Sequence, residues 1–152
     1  MSVEQSIIGL IIPCYNNSDT ITRCLDSVRS AKEDLACQIL CICINDNSTD
    51  QTLTIISQYK NDGVVDVIIS NPTNLGVSSC RNLGILQCRE TEWVCFLDAD
   101  DVLTHTFPTI EKYLDSPSSQ IIGSHFCNDG KSTKKIIHHL PYSKKLNQSD
   151  CV

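Results

Sequence analysis

The residues best equipped for chemistry fall in four short clusters. Asp98-Ala99-Asp100-Asp101 directly follows the apolar run Val94-Cys95-Phe96-Leu97. Carboxylates packed this closely repel one another unless a cation joins them, and hard oxygen ligands suit Mg2+ or Mn2+, which commonly bridge carboxylates and phosphates. The same residues serve equally well as a turn and helix cap. Pro13-Cys14-Tyr15-Asn16-Asn17 closes the first apolar run. There the proline stops a strand, the tyrosine ring offers a stacking face, and the asparagines cap or hydrogen-bond. In Asn45-Asp46-Asn47-Ser48-Thr49-Asp50, Asp46 is an acceptor suited to the N–H edge of a base, with Ser48 or Thr49 as the competing helix cap. In Asn74-Leu75-Gly76-Val77-Ser78-Ser79-Cys80-Arg81-Asn82, Gly76 permits a tight turn. Arg81 lies one helical turn inside, within reach of a phosphate or a base, or paired to a surface Asp.

These clusters need a scaffold, and the hydropathy pattern predicts one. Apolar runs at Ser6 to Ile12, Gln38 to Ile44, Val64 to Ile69, Trp93 to Leu97 and Gln120 to Phe126 are strand-sized. Between them lie helical patterns: Ile21, Leu25 and Val28 after the Asn16-Asn17-Ser18 cap; Leu53, Ile56 and Tyr59, closed by Asn61-Asp62-Gly63; Val77 to Cys88, with Leu83 and Leu86 inward; and a short helix near Pro108 to Leu114. Strands apolar at every position, alternating with helices, indicate a mostly parallel sheet covered on both faces, a three-layer α/β/α fold of Rossmann-like type. Right-handed crossovers place every strand-to-helix loop on one edge. The segments 13–18, 45–50, 70–76 and 98–101 are therefore expected to converge at the carboxyl ends of the strands, beside a switch in strand order. After Phe126 periodicity fades into Lys131-Ser132-Thr133-Lys134-Lys135, His138-His139 and Lys144-Lys145.

Composition narrows the classes. The 152 residues suit one ordinary domain, and a net charge of −6 argues against a nucleic-acid binder with a broad basic face. The apolar fraction of 41% fits a globular chain, and the longest apolar run, Ile7 to Ile12, falls far below the ~20 residues that span a bilayer. The start, Met1-Ser2-Val3-Glu4-Gln5, has no basic secretory signature. Ten cysteines would suit a disulfide scaffold, yet no CxxC pair occurs, and Cys41, Cys43 and Cys95 lie inside apolar runs. They read as small buried hydrophobes of a reducing cytoplasm.

Taken in order, Pro-x-Tyr-Asn, Asn-Asp-x-Ser-Thr-Asp, Asn-x-Gly-x-x-x-x-Arg-Asn and Asp-x-Asp-Asp, each at a strand end or the helix start after it, make the chain strongly similar to the family 2 glycosyltransferases of the GT-A fold. The likeness covers roughly residues 6–126. It implies a nucleotide-diphospho-sugar transferase, with Pro13, Tyr15, Asn16, Asp46, Gly76, Arg81, Asp98 and Asp100 binding the donor, a UDP-sugar first among candidates. Tyr15 would stack near the base, Asp46 accept its N–H, Arg81 contact the nucleotide, and Asp98 lie near the ribose. Asp100, with Asp98, would hold Mn2+ or Mg2+. The implied reaction is transfer with inversion to an acceptor hydroxyl of a surface glycan or lipid-linked acceptor, by a cytoplasmic chain at the inner face of the membrane. Peripheral membrane association and homodimerisation stay open.

The second motif departs from the family's usual Asp-Asp-Gly-Ser, with Asn45 for the first Asp and Asn47 for the Gly. Cys80 replaces the usual Ala before Arg81. Asn tolerates the left-handed conformation, so the turn can survive. Family members also continue further and carry an acceptor site and a general base. Residues 1–127 therefore read as a donor-binding half, and 128–152 as a weakly structured tail or the start of an acceptor half whose base lies beyond Val152. Two alternatives follow: a nucleotide-sugar-binding module without transferase activity, and a haloacid-dehalogenase-like phosphatase in which Asp98 is the nucleophile and Asp100 the acid/base. The second leaves the other three motifs without a role.

Overall fold

A computed structural model describes residues 6–104 and 107, and the backbone of 122–128 and 133–139. The chain divides into two compact units, Met1–Leu114 and Asp115–Val152. The first runs β1 (Ile7–Cys14), α1 (Ile21–Asp34), β2 (Gln38–Asn45), α2 (Thr52–Asn61), β3 (Val67–Ser70), α3 (Val77–Gln87) and β4 (Trp93–Phe96). The second contains the antiparallel pair β5 (Ile122–Asn128) and β6 (Thr133–His139), in register from Ile122 opposite His139 to Asn128 opposite Thr133. The strand over Thr133–His139 falls in the segment 128–152, where hydropathy shows little periodicity, and it is set by backbone pairing with β5. The helix expected near Pro108 to Leu114 lies outside the described residues.

The four strands of the first unit form a parallel sheet in the order β3-β2-β1-β4. The chain steps outward from β1 to β3 and then returns to the other side of β1, so the strand order reverses between β1 and β4. Side chains alternate across the sheet. On one face Ile8, Leu10, Ile12, Cys41 and Cys43 pack against Ile21, Cys24, Leu25 and Val28 of α1 and Ile56 of α2. On the other, Ile11, Ile42 and Ile44 meet Cys80 and Leu83 of α3. Fully burying one such Ile or Leu contributes about 1.5–3 kcal/mol, so these strands, apolar at every position, supply both interfaces of a three-layer α/β/α unit.

Several boundaries and packing positions differ from the sequence-based reading. Pro13 does not end β1 but sits inside its last turn of pleat, opposite Ile44, where its missing N–H costs little beside the strand end. The helix α1 has no side-chain cap; the Asn17 carbonyl takes the N–H groups of Thr20 and Ile21 at 3.0 and 2.9 Å. Val64 and Val65 are not in β3, because their N–H groups close the end of α2 on the Tyr59 carbonyl at 2.9 and 3.2 Å. Leu53 and Leu86 are exposed, their expected inward places taken by Thr52 and by Cys80 with Gly84. Among the described residues α3 packs on β1 and β2, and Val94 and Phe96 of β4 are exposed.

Candidate functional site

The expected convergence of the strand-end segments is present. A cleft of about 410 Å³ opens at the carboxyl ends of the strands, lined by Pro13, Tyr15 and Asn17 after β1, Asp46 after β2, Gly76 and Val77 at the start of α3, and Asp98 and Asp100 after β4. It thus sits at the reversal of strand order, where parallel sheets of this type bind ligands. Of the eight residues singled out in the sequence, Pro13, Tyr15, Asp46, Gly76, Asp98 and Asp100 line the cleft. Arg81 reaches its edge through Asp98, and Asn16 turns elsewhere.

Asn16 is part of a clasp between two loops. It adopts φ +52°, a left-handed conformation that Asn tolerates better than most residues. Its Oδ1 accepts the N–H and hydroxyl of Thr49 at 2.8 and 3.3 Å, and its own N–H donates to Ser48 Oγ at 3.1 Å. Next along, the Asn17 N–H donates to Thr52 Oγ1 at 2.7 Å and the Ser18 N–H to Asp50 Oδ2 at 3.0 Å. Asp50 Oδ1 also takes the Thr52 N–H at 2.9 Å, so Asp50 supplies the capping bond expected of Ser48 or Thr49. Burial works against the Asp50 carboxylate, but bonds from Thr52 and Ser18 outweigh it and bring its pKa down to about 2. Asn47 holds φ +61°, so the turn that usually carries Gly does survive. The clasp leaves the Tyr15 ring half exposed at the cleft, with its N–H tied to Asn17 Oδ1 at 2.7 Å.

Asp46 lies at the base of the cleft and is buried. Its Oδ1 accepts Asn71 Nδ2 and the Leu75 N–H, at 2.7 and 2.9 Å, and its Oδ2 accepts the Gly76 N–H at 2.8 Å. Burial pushes its pKa up, but these bonds prevail and hold it below the ordinary carboxylate range. Gly76 has φ +84° and ψ 161°, a region open essentially to glycine alone, and it is this backbone that aims two successive N–H groups at Asp46. The carboxylate also sits at the N-terminus of α3, where the helix dipole favours an anion.

The third wall is the carboxylate loop after β4. Asp98 forms an ion pair with Arg81, Nη2 to Oδ1 2.7 Å, and the guanidinium stacks over Phe96 at 5.4 Å. Arg81 Nε is buried with no hydrogen-bond partner among the described residues, a donor available to a ligand acceptor. The loop backbone is cradled by α1: Arg23 Nη2 donates to the Asp100 carbonyl at 3.0 Å, Cys24 Sγ to the Asp98 carbonyl at 3.7 Å, and the Leu103 N–H to Ser27 Oγ at 2.9 Å. Arg23, Ser27, Asn71 and Thr52 were not singled out in the sequence. Each makes a contact with a residue 25 or more positions away, so only the polar character of Asn71 after a strand hinted at a role.

Among the described residues no three His, Cys, Asp or Glu converge into a ready-made metal cage. Mg2+ is usually held by one or two carboxylates together with substrate phosphates and waters. Asp98 and Asp100, both exposed at the cleft, fit that partial ligand set. The eight described cysteines are free thiols, none of them assigned to this set.

A parallel sheet within three α/β/α layers, with a polar cleft at its switch point, is the architecture of the GT-A fold. The chain belongs to Glycosyl transferase family 2, which it matches over residues 10–151. That membership leaves the phosphatase alternative without support. A poly(ribitol-phosphate) beta-glucosyltransferase of Bacillus spizizenii is 34% identical over 99 residues, which cover 63% of this chain and 15% of that protein. The poly(ribitol-phosphate) beta-N-acetylglucosaminyltransferase TarS of Staphylococcus aureus is 31% identical over 116 residues, 75% of this chain and 20% of TarS. This chain thus spans about a fifth or less of those relatives. The crystal structure of S. aureus TarS 1-349 in complex with UDP superposes with a TM-score of 0.58 at 32% identity, covering 70% of this chain and 30% of that one. The fold alone is shared with a Pyrobaculum calidifontis mannosyltransferase in complex with GDP-Man and Mn2+, at TM-score 0.66 and 19% identity over 78% of this chain and 35% of that one. No helix among the described residues is long and apolar enough to cross a membrane.

Proposed function

We propose that this chain binds a nucleotide-diphospho-sugar, UDP-linked, and serves a glycosyltransferase that passes the sugar with inversion to a hydroxyl of a glycan or lipid-linked acceptor in surface polymer synthesis, on the cytoplasmic side of the membrane. The observation that carries this reading is the meeting of Tyr15, Asp46, Arg81, Asp98 and Asp100 around one cleft at the switch point. TarS, a relative whose structure has been solved with UDP and with UDP-GlcNAc, supports the choice of nucleotide.

Tyr15 offers its exposed ring to the face of the base. Asp46, kept ionised, accepts a base N–H. Arg81 exchanges Asp98 for a phosphate oxygen, gaining an acceptor for its unpaired Nε. Asp98 is then free for the ribose or the ion, and Asp100 is the main metal ligand. Mn2+ or Mg2+ would neutralise the charge that develops on the departing diphosphate. The group that deprotonates the acceptor is assigned to sequence outside the described residues.

Calorimetric titration with UDP and Mn2+ tests the reading. Wild type should bind UDP more tightly with Mn2+ than without it, and Asp100→Ala should lose that metal-dependent gain, roughly tenfold or more, while keeping metal-free binding. Equal gains in both proteins would remove Asp100 from its assigned place.

A further inference from the structure

The Asp46 carboxylate lines the cleft, yet its acceptor capacity is almost wholly committed inside the protein. Oδ1 holds Asn71 Nδ2 and the Leu75 N–H, and Oδ2 holds the Gly76 N–H. An ionised carboxylate has about four lone-pair sites, so these three donors leave one open, on Oδ2, and Cys80 Sγ beside them accepts from Asn71 Nδ2 at 3.5 Å. The three are not equal. Two are backbone N–H groups set by the Gly76 turn. One is the amide of Asn71, itself 7% exposed and held by its own N–H on the Asn45 carbonyl at 2.9 Å. The remaining position on Oδ2, which holds only the Gly76 N–H, is the one a ligand N–H can take.

We propose that Asn71 determines base specificity: by occupying Asp46 Oδ1 it leaves this carboxylate room for one base N–H and no second. This rests on the nucleotide-binding reading above and deepens it. A base whose pairing edge carries a single ring N–H between two carbonyls, the uracil class, satisfies that one acceptor. Guanine presents a ring N–H and an adjacent amine, which together suit a carboxylate open at both oxygens. In this cleft the amine is desolvated with no acceptor, and an unpaired buried donor is penalised more than a made bond is rewarded. Cytosine and adenine turn a ring-nitrogen lone pair toward the carboxylate and are repelled. Asn71 thus acts against the wrong bases rather than for the right one.

The test measures affinity for UDP, GDP and CDP with Mn2+ on the full chain, for wild type, Asn71→Leu and Cys80→Ala. Wild type should favour UDP. In Asn71→Leu the released Oδ1 should admit guanine, and the UDP-to-GDP affinity ratio should fall at least tenfold. Cys80→Ala should keep the wild-type ratio. An unchanged ratio in Asn71→Leu overturns the proposal. So does a parallel loss of both nucleotides, which would make Asn71 a mere support of the loop. If Asn71→Leu does not fold, Asn71→Ala removes the same donor without adding volume and is read identically. A wild type that binds no nucleotide refutes the function itself. A wild type that binds UDP and GDP equally refutes only the role of Asn71.

Discussion

At the scale of single residues, the same side-chain types do two different jobs in this cleft. Asp98 and Asp100 stay exposed at its mouth, whereas Asp46 and Asp50 spend their oxygens on backbone N–H groups. Asp50 shows the consequence for stability. Its folded pKa of about 2 lies below the ordinary carboxylate value, so its contribution is complete above pH ~4 and fades as the pH falls toward 2. Replacing Asp50 by Ala should cost about 1–2 kcal/mol at neutral pH, seen as a lower urea midpoint with an unchanged slope. The difference between the two proteins should shrink between pH 4 and 2. A pH-independent difference would mean that Asp50 acts by shape and not by charge. The roles of Asp46 and Asp98 as polar, strand-end residues were legible in the sequence. Which of their lone pairs face the ligand was not, because that depends on donors up to 30 residues away.

At the scale of elements, α3 shows how a helix is placed by what it lacks. Gly84 sits on β1 so closely that an added Cβ would overlap Ile11 Cγ2 and crowd Cγ1 and Cδ1. The contact draws α3 onto the sheet and sets its N-terminal Gly76 beside Asp46. Gly84→Ala improves helix propensity by about 1 kcal/mol, yet overpacking against a β-branched core residue costs typically 1–3 kcal/mol. The variant should therefore be no more stable than wild type, and less stable where Ile11 cannot yield. A clear rise in the denaturation midpoint would show that the helix–strand spacing is looser than drawn. On the other face α1 positions the carboxylate loop through Arg23, Cys24 and Ser27, whose polar contacts the apolar pattern concealed.

At the scale of the whole molecule, the cysteines act as core volume. Seven of the described thiols are buried and Cys95 is partly so. Burial raises the pKa of Cys80 and of Cys95 to about 11 and drives that of Cys24 higher still, while Cys43 is held well above the ordinary thiol value first by its bonds to Cys14 and Cys41 and then by burial. Thiolate, not thiol, is the reactive form. Of the ten thiols, the native chain should therefore release at most three quickly to a disulfide reagent at pH 8, and the rest only in denaturant. Fast reaction of more than three would contradict this packing.

Sequence alone determined the alternation of strands and helices, the parallel three-layer class, and the family, because buried parallel strands are apolar at every position and the motifs sit where chains of this class turn. It also placed Asp46, Gly76, Asp98 and Asp100 at one edge. Tertiary structure alone decided how each was used. The clasp of Asn16 with Ser48 and Thr49, the cradle of α1 beneath the carboxylate loop, and the Asn71 amide on Asp46 all join segments distant in the chain. Hydropathy records what is buried, residue by residue. It carries no record of which donor meets which acceptor once the sheet has brought the loops together.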